Sequence, residues 1–354
     1  MRSKHIKSLT GVRWIAALFV YFSHTILDKN LSQNLLKFSE NGYCGVTIFF
    51  ILSAFILTVN YHERLDSQNM SKYLAARAAR ILPIYYTVLV FVLLQTKISN
   101  GEIPSWTWKH ILLIQVWDTD ISVSMGLNGP AWSIGVEVFF YLIFPFLLLI
   151  CSRMLRTFRA SSLLTVLGIG LVSFFYFRFR NGIGEVSDSN STHQWLYRSP
   201  ITRIGDFIYG IGLAGIYLSV PKVRKVEMLA SFMTYISIAS IVFMMYFTST
   251  QTAISWDLQY AFPSGILILG LALNQTSYLS RLLSTNVFVR LGEISFTFYL
   301  IHTVLPFDGS LKDTTIFGIA FYILNLALFC AVSYSLFQFV EKPTRKFINS
   351  QFTT

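Results

Sequence analysis

The sequence predicts an all-α polytopic membrane protein, a bundle of about ten transmembrane helices with both termini cytoplasmic, and three observations predict it. First, hydrophobic residues make up 54% of the 354 and charged residues 13%, with a mean hydropathy of +0.56; a soluble chain of this composition would lack the polar groups to cover its surface. Second, apolar windows of about 20 residues, the length that crosses the hydrocarbon core, recur ten times along the chain. Third, 18 of the 28 Lys and Arg residues fall on the side that carries both termini and 8 on the other, with Arg13 and Arg203 inside the windows. The positive-inside rule puts the richer side in the cytoplasm. The net charge of +11 is then topological, with anionic lipid headgroups rather than nucleic acid as its counterpart.

The windows run near 9–28, 44–60, 81–96, 131–151, 161–178, 203–220, 229–248, 260–274, 289–306 and 316–340. The basic start MRSKHIK resembles a signal peptide, but the run after it is long and lacks a small-residue cleavage motif, so it reads as a retained first helix. The piece HILLIQVW at 110–117 is too short to span and reads as interfacial or re-entrant. The longest polar connections are 61–80 on the cytoplasmic side and 97–130 and 179–202 outside, the last rich in Ser, Asn and Gly. Cys44, Cys151 and Cys330 lie in or beside three separate windows, a spacing that suggests neither a disulfide framework nor a metal site. A single transmembrane domain over 1–354 without an appended soluble domain is expected. No nucleotide loop, dinucleotide fingerprint or zinc-protease motif appears, which leaves any catalysis to the membrane domain itself.

Ionisable groups in hydrocarbon are costly, so each one inside a window is a site candidate with a bland reading beside it. His24 and His302 lie near the outer ends of windows one and nine; either alone reads equally well as a side chain reaching the interface. Glu137, about two turns into LNGPAWSIGVEVFFYLIFPFLL, is harder to excuse, because a carboxylate on a short stem cannot snorkel so far. Arg203 and Asp206, at i and i+3, can simply satisfy each other. On the cytoplasmic side Arg77 and Arg80 share a helical face in KYLAARAARILPIYY, just before Pro83, and form a natural receptor for phosphate as well as an ordinary basic flank. Arg13 precedes His24 by eleven residues, three turns, so one face of the first helix joins the two stations about 16 Å apart. Ser133 and Tyr141 flank Glu137 at i−4 and i+4, and Ser295, Tyr299 and His302 form a stripe. Trp132 offers an indole N–H, or acts as an interfacial anchor.

In order along the chain, LTGVRWIAALFVYFSH, GVTIFFILSAFIL, RAARILP, WSIGVEVFFYLIFP, RIGDFIYGIGLA, LGEISFTFYLIH and VEKPTRKF resemble the acyltransferase-3 family of integral membrane O-acyltransferases. Two positions depart from the family pattern: Ala54 where Gly is usual and Asp206 where Glu is common. The resemblance implies transfer of an acyl group, by expectation acetyl, from cytoplasmic acyl-CoA to a hydroxyl of a surface glycan or lipid-linked saccharide such as lipopolysaccharide, at the outer face of a bacterial inner membrane. It implies that Arg77, Arg80 and Arg13 bind coenzyme A. His24, or else His302, would be the base, with Glu137 orienting the imidazole; alternatively His24 accepts the acyl group first. Trp132, Ser133, Arg203, Asp206 and Tyr299 would contact the transition state or the acceptor. The expected partners are acyl-CoA, the acceptor and the bilayer, with no nucleic acid and no metal, and with a homo-oligomer allowed. The rival class is a carrier that moves an acyl group or a lipid-linked sugar along the same polar path.

Overall fold

Each of the ten windows contains a helix among the described residues. The computed structural model describes residues 5–26, 31–65, 69–181, 191–221, 223–250, 252–305, 311 and 315–351. The principal helices are α1 Lys7–Thr25, α2 Gly45–Tyr61, α3 Met70–Asn100, α4 Trp132–Cys151, α5 Phe158–Phe179, α6 Ile204–Ser219, α7 Arg224–Phe247, α8 Leu258–Leu273, α9 Asn286–Ile301 and α10 Ile316–Leu336. Six helical stretches, Gln33–Tyr61, Met70–Asn100, Gly129–Cys151, Phe158–Phe179, Arg224–Phe247 and Ile316–Ile348, are long and apolar enough to cross a bilayer. The others fall short for visible reasons. α6, α8 and α9 have 16 residues each, about 24 Å at 1.5 Å per residue against a core of roughly 30 Å, and α1 carries Arg13 and His24. The faces of Leu149, Ile150, Ile316, Phe317 and Phe339 stand exposed, as a lipid-facing belt does.

Two boundaries differ from the sequence expectation. α3 runs unbroken from Met70 through Pro83 to Asn100, so Arg77 and Arg80 belong to the spanning helix and not to a flank before it. Pro83 removes one i→i−4 hydrogen bond, a loss a long helix tolerates where its neighbours hold it. At the other end of the chain the last helix passes through a π-helical turn at Phe337–Glu341 before continuing as Lys342–Gln351; such turns re-aim side chains, and here the turn carries the buried Glu341. The segment at 110–117 forms a short helix Thr107–Ile111 and a 3-10 turn Gln115–Trp117, joined through Leu113 at φ 58°. It does not span, and Gln115 Nε2 donates to the Ala131 carbonyl at 3.2 Å, fastening it over the start of α4.

Close helix contacts decide which polar residues meet. α1 packs along α9, α2 and α5 pack along α6, and α7 packs along α8. Gly292 on α9 admits the α1 backbone, because a Cβ there would stand 1.9 Å from the Thr10 carbonyl oxygen. Trp14 then meets Phe298 edge-on at 4.9 Å between ring centres, and Tyr21 meets the same ring at 5.3 Å. On α2, Ala54 faces Gly210, whose added Cβ would stand 2.7 Å from the Ala54 Cβ, so the departure at residue 54 is accommodated by a glycine opposite. Gly292→Ala forces α1 and α9 apart. We expect about 1–3 kcal/mol of lost stability, read as a lowered thermal midpoint in detergent.

Candidate active site

The α1–α9 contact brings two histidines, 278 positions apart in the chain, to within hydrogen-bonding distance: His302 Nε2 lies 3.2 Å from His24 Nδ1. Their ring centres are 5.1 Å apart. His24 Nδ1 is also 2.9 Å from the Val20 carbonyl oxygen one turn back, and His302 Nδ1 is 2.7 Å from the Tyr299 carbonyl oxygen. His302 is buried, whereas His24 is exposed at the end of its helix. Asn128, from the turn before α4, clamps the end of α9 through its Nδ2, which donates to Leu300 O at 2.9 Å; Thr303 Oγ1 donates in turn to Asn128 Oδ1 at 3.3 Å. Beneath the pair, the Tyr299 and Ser133 hydroxyls lie 2.9 Å apart and each lies 3.0 Å from the Pro130 carbonyl oxygen. Tyr299 thus shares its stripe with His302, as its spacing implies, and Ser133 meets it through its hydroxyl.

Glu137 does not. Its Oε1 accepts a short hydrogen bond from the Tyr141 hydroxyl and another from Ser53 Oγ at 3.3 Å, and no histidine hydrogen-bonds to it among the described residues. It lines a cavity with Arg13, Arg77 and Arg80. The expectation that Glu137 orients an imidazole is therefore corrected. Its carboxylate faces guanidinium groups, and it acts electrostatically on Arg13 and Arg77.

That cavity extends from the arginines to Ser133 and Tyr299, and Arg77 and Arg80 also line a second cavity. The second cavity is walled by His5, Thr10, Arg64 and Arg345 as well, so residues near both ends of the chain meet at one end of the bundle. Arg77 lies 5.7, 6.0 and 5.7 Å from the ring centres of Tyr61, Tyr73 and Tyr141, and its Nε is buried without a hydrogen-bond partner. An unmet buried guanidinium N–H is costly and marks a place for an acceptor-rich ligand. The sequence reading missed two residues here. Glu341, on the π-helical turn, accepts from Arg345 Nη1 at 3.1 Å and from Thr297 Oγ1 at 3.2 Å. The signal was the VEKPTRKF stretch, noticed without a role.

Arg203 and Asp206 are also corrected as acceptor contacts. Arg203 is fully buried and all of its nitrogens are engaged. Nε donates to Tyr197 O at 2.9 Å, Nη2 to Trp256 O at 2.9 Å, and Nη1 to Thr47 Oγ1 and Asp206 Oδ2 at 3.0 Å each. A short ion pair to Asp257 completes the set. Neither Arg203 nor Asp206 lines either of the two cavities, and the cluster ties the start of α6 to α2 and to the segment before α8. Trp132 is buried against Tyr197, 4.7 Å between ring centres, and Phe50, 6.2 Å, as a packing anchor would be.

A family model described as an acyltransferase domain, Acyl_transf_3, matches residues 6–338. The chain belongs to this acyltransferase family. Among its curated relatives, Acyltransferase MdmB of Streptomyces mycarofaciens is 28% identical over 323 residues, 85% of this chain and 79% of that protein. Peptidoglycan O-acetyltransferase OatA of Listeria monocytogenes is 25% identical over 378 residues, 98% of this chain. A putative O-acetyltransferase of Staphylococcus aureus is 21% identical over 372 residues, also 98% of this chain. The chain spans 57% and 58% of the length of the latter two. No solved structure matches. Family membership and the apolar helices together make this an integral membrane acyltransferase.

Proposed function

We propose that the protein moves an acyl group, acetyl by preference, from acyl-CoA to a hydroxyl of a cell-surface glycan or lipid-linked saccharide. One observation carries the reading: the two cavities share Arg77 and Arg80 and lead from a basic mouth to Tyr299, whose main-chain carbonyl holds His302 beside His24. Arg77, Arg80, Arg13 and Arg345 bring more positive charge to the cavities than Glu137 and Glu341 offset, as a polyanionic donor requires. The basic mouth faces the cytoplasm in this reading, in line with the excess of Lys and Arg on the side of both termini. The donor's extended arm runs up the narrower cavity with its thioester toward the histidines.

Chemistry then follows from a neutral imidazole at the exposed end of α1. His24 takes the proton from an acceptor hydroxyl as its oxygen attacks the thioester carbon. The new C–O bond forms, the C–S bond breaks, and the departing thiolate recovers the proton from the imidazolium. In this reading the Tyr299 and Ser133 hydroxyls turn from the Pro130 carbonyl, to which both donate at rest, toward the oxyanion. The peptidoglycan acetyltransferase among the relatives supports a glycan as the acceptor class. Mass spectrometry of surface glycans and lipid-linked saccharides from cells with and without the protein is the test. A single acyl mass increment that depends on the protein, and that disappears when acyl-CoA is withheld from proteoliposomes, is the expected result; unchanged glycans together with substrate transport would replace this reading with a carrier.

A further inference from the structure

The hydrogen positions in the histidine pair follow from its contacts. A carbonyl oxygen only accepts, so His24 Nδ1, 2.9 Å from Val20 O, carries a hydrogen, and so does His302 Nδ1, 2.7 Å from Tyr299 O. With both rings neutral, each Nε2 is bare. The third contact, His302 Nε2 to His24 Nδ1 at 3.2 Å, then sets a lone pair against the hydrogen that His24 also directs at Val20 O. A proton added to His302 Nε2 would point at the hydrogen already on His24 Nδ1. The only nitrogen left to take one while the pair is intact is His24 Nε2, on the exposed ring.

We infer that His302 is a positioning residue: its Nε2 holds the Nδ1–H of His24, fixing His24 Nε2 as the nitrogen that receives the acceptor's proton and steadying the imidazolium that forms. This rests on the acyl-transfer reading above and narrows it, since either histidine alone could have been the base. A neutral imidazole tied to a main-chain carbonyl here occupies the place that a carboxylate fills in a serine-hydrolase triad. No carboxylate among the described residues hydrogen-bonds to either ring. The titratable groups packed against the pair are tyrosines: Tyr21 on α1, 6.2 Å from His302 between ring centres, and Tyr299 on α9 at 5.8 Å, with Tyr322 on α10 behind Tyr21, its ring tilted against that of Tyr21 at 5.8 Å and its hydroxyl 3.0 Å from Thr25 Oγ1. The fixed backbone carbonyl of Tyr299 is what keeps His302 from turning its N–H toward its partner.

The test is a substitution series at position 302, assayed in proteoliposomes with acyl-CoA and a glycan acceptor across pH. His302→Leu removes the acceptor and is expected to lower kcat roughly 10- to 100-fold, the range of a hydrogen bond to a charged group. Its acid limb is expected to move to lower pH by about one unit or more, because the imidazolium of His24 has lost its support. His302→Gln can present an amide oxygen near the position of Nε2 and is expected to recover most of that loss. His302→Glu, with a full charge there, is expected to move the acid limb to higher pH than the Gln protein. Donor affinity stays near wild type in all three. Should the Leu protein fail to fold, the comparison of Gln with Glu carries the same test. Equal kcat and identical acid limbs across the folded variants would overturn the inference, as would a Gln protein as impaired as Leu. Loss of ester formation on changing His24 bears on the reaction itself and is a separate result.

Discussion

A folded His24→Ala protein is expected to form glycan ester about 10²–10⁴-fold more slowly than wild type, the usual contribution of a positioned general base, while it binds acyl-CoA with unchanged affinity. The separation of effects comes from geometry. His24 stands at the far end of α1 from Thr10, which lines the basic mouth, and Arg13, which lines the cavity above it; removing the imidazole leaves those walls in place. Stability belongs in the same experiment, because the ring also bonds His302, and a thermal midpoint near wild type is the condition under which the rate is read. If the folded variant still forms ester at near wild-type rate, His24 is not the base. The position of the histidines near Tyr299 would then describe a packing feature, and the donor cavity would have to end at another acid or base. An acyl group trapped on a histidine nitrogen during turnover would instead indicate that His24 acts as nucleophile before the hydroxyl attacks.

How much of this site could be read in advance depended on which physical rule the residue obeyed. The helices were legible because uninterrupted apolar runs have few other solutions in a bilayer, where every backbone group must find an internal partner. Their lengths were less so: α3 passes through Pro83, and nothing local in a sequence says that neighbouring helices will hold such a residue in line. His24 and His302 were legible as residues at matching ends of two windows, but their meeting depends on Gly292 admitting the α1 backbone, which is a fact of packing. Glu137 shows the limit most clearly. Its cost in hydrocarbon marked it as important, yet axial position along one helix does not reveal which neighbour the side chain faces. It faces the arginines, where its charge offsets part of theirs and Tyr141 and Ser53 satisfy one of its oxygens. The i, i+3 relation of Arg203 to Asp206 was visible as a local pair; that Asp257, from a different segment, shares the same guanidinium was not.

Changing Arg77 and Arg80 together to Ala is expected to weaken acyl-CoA binding by about 10²-fold or more, from roughly tenfold or more for each charge-assisted contact removed. Both residues line both cavities, the basic mouth and the cavity that reaches Tyr299. They should not be equivalent. Arg77 lies among the rings of Tyr61, Tyr73 and Tyr141 and keeps a buried Nε without a partner, an arrangement that a planar guanidinium fits and an ammonium does not. Arg77→Lys is therefore expected to restore little of the affinity lost in Arg77→Ala, whereas Arg80→Lys should restore more of its own loss, since a flexible cation at Arg80 still presents charge to both cavities. The measurement is equilibrium binding of acyl-CoA to detergent-purified protein at two salt concentrations. Contacts to phosphate weaken as salt rises, so wild-type affinity should fall with ionic strength and the double Ala variant should show a shallower dependence. Donor affinity and salt dependence both unchanged in a folded double variant would return Arg77 and Arg80 to the role of topological charges at a membrane face, and the donor route through these cavities would fall with them.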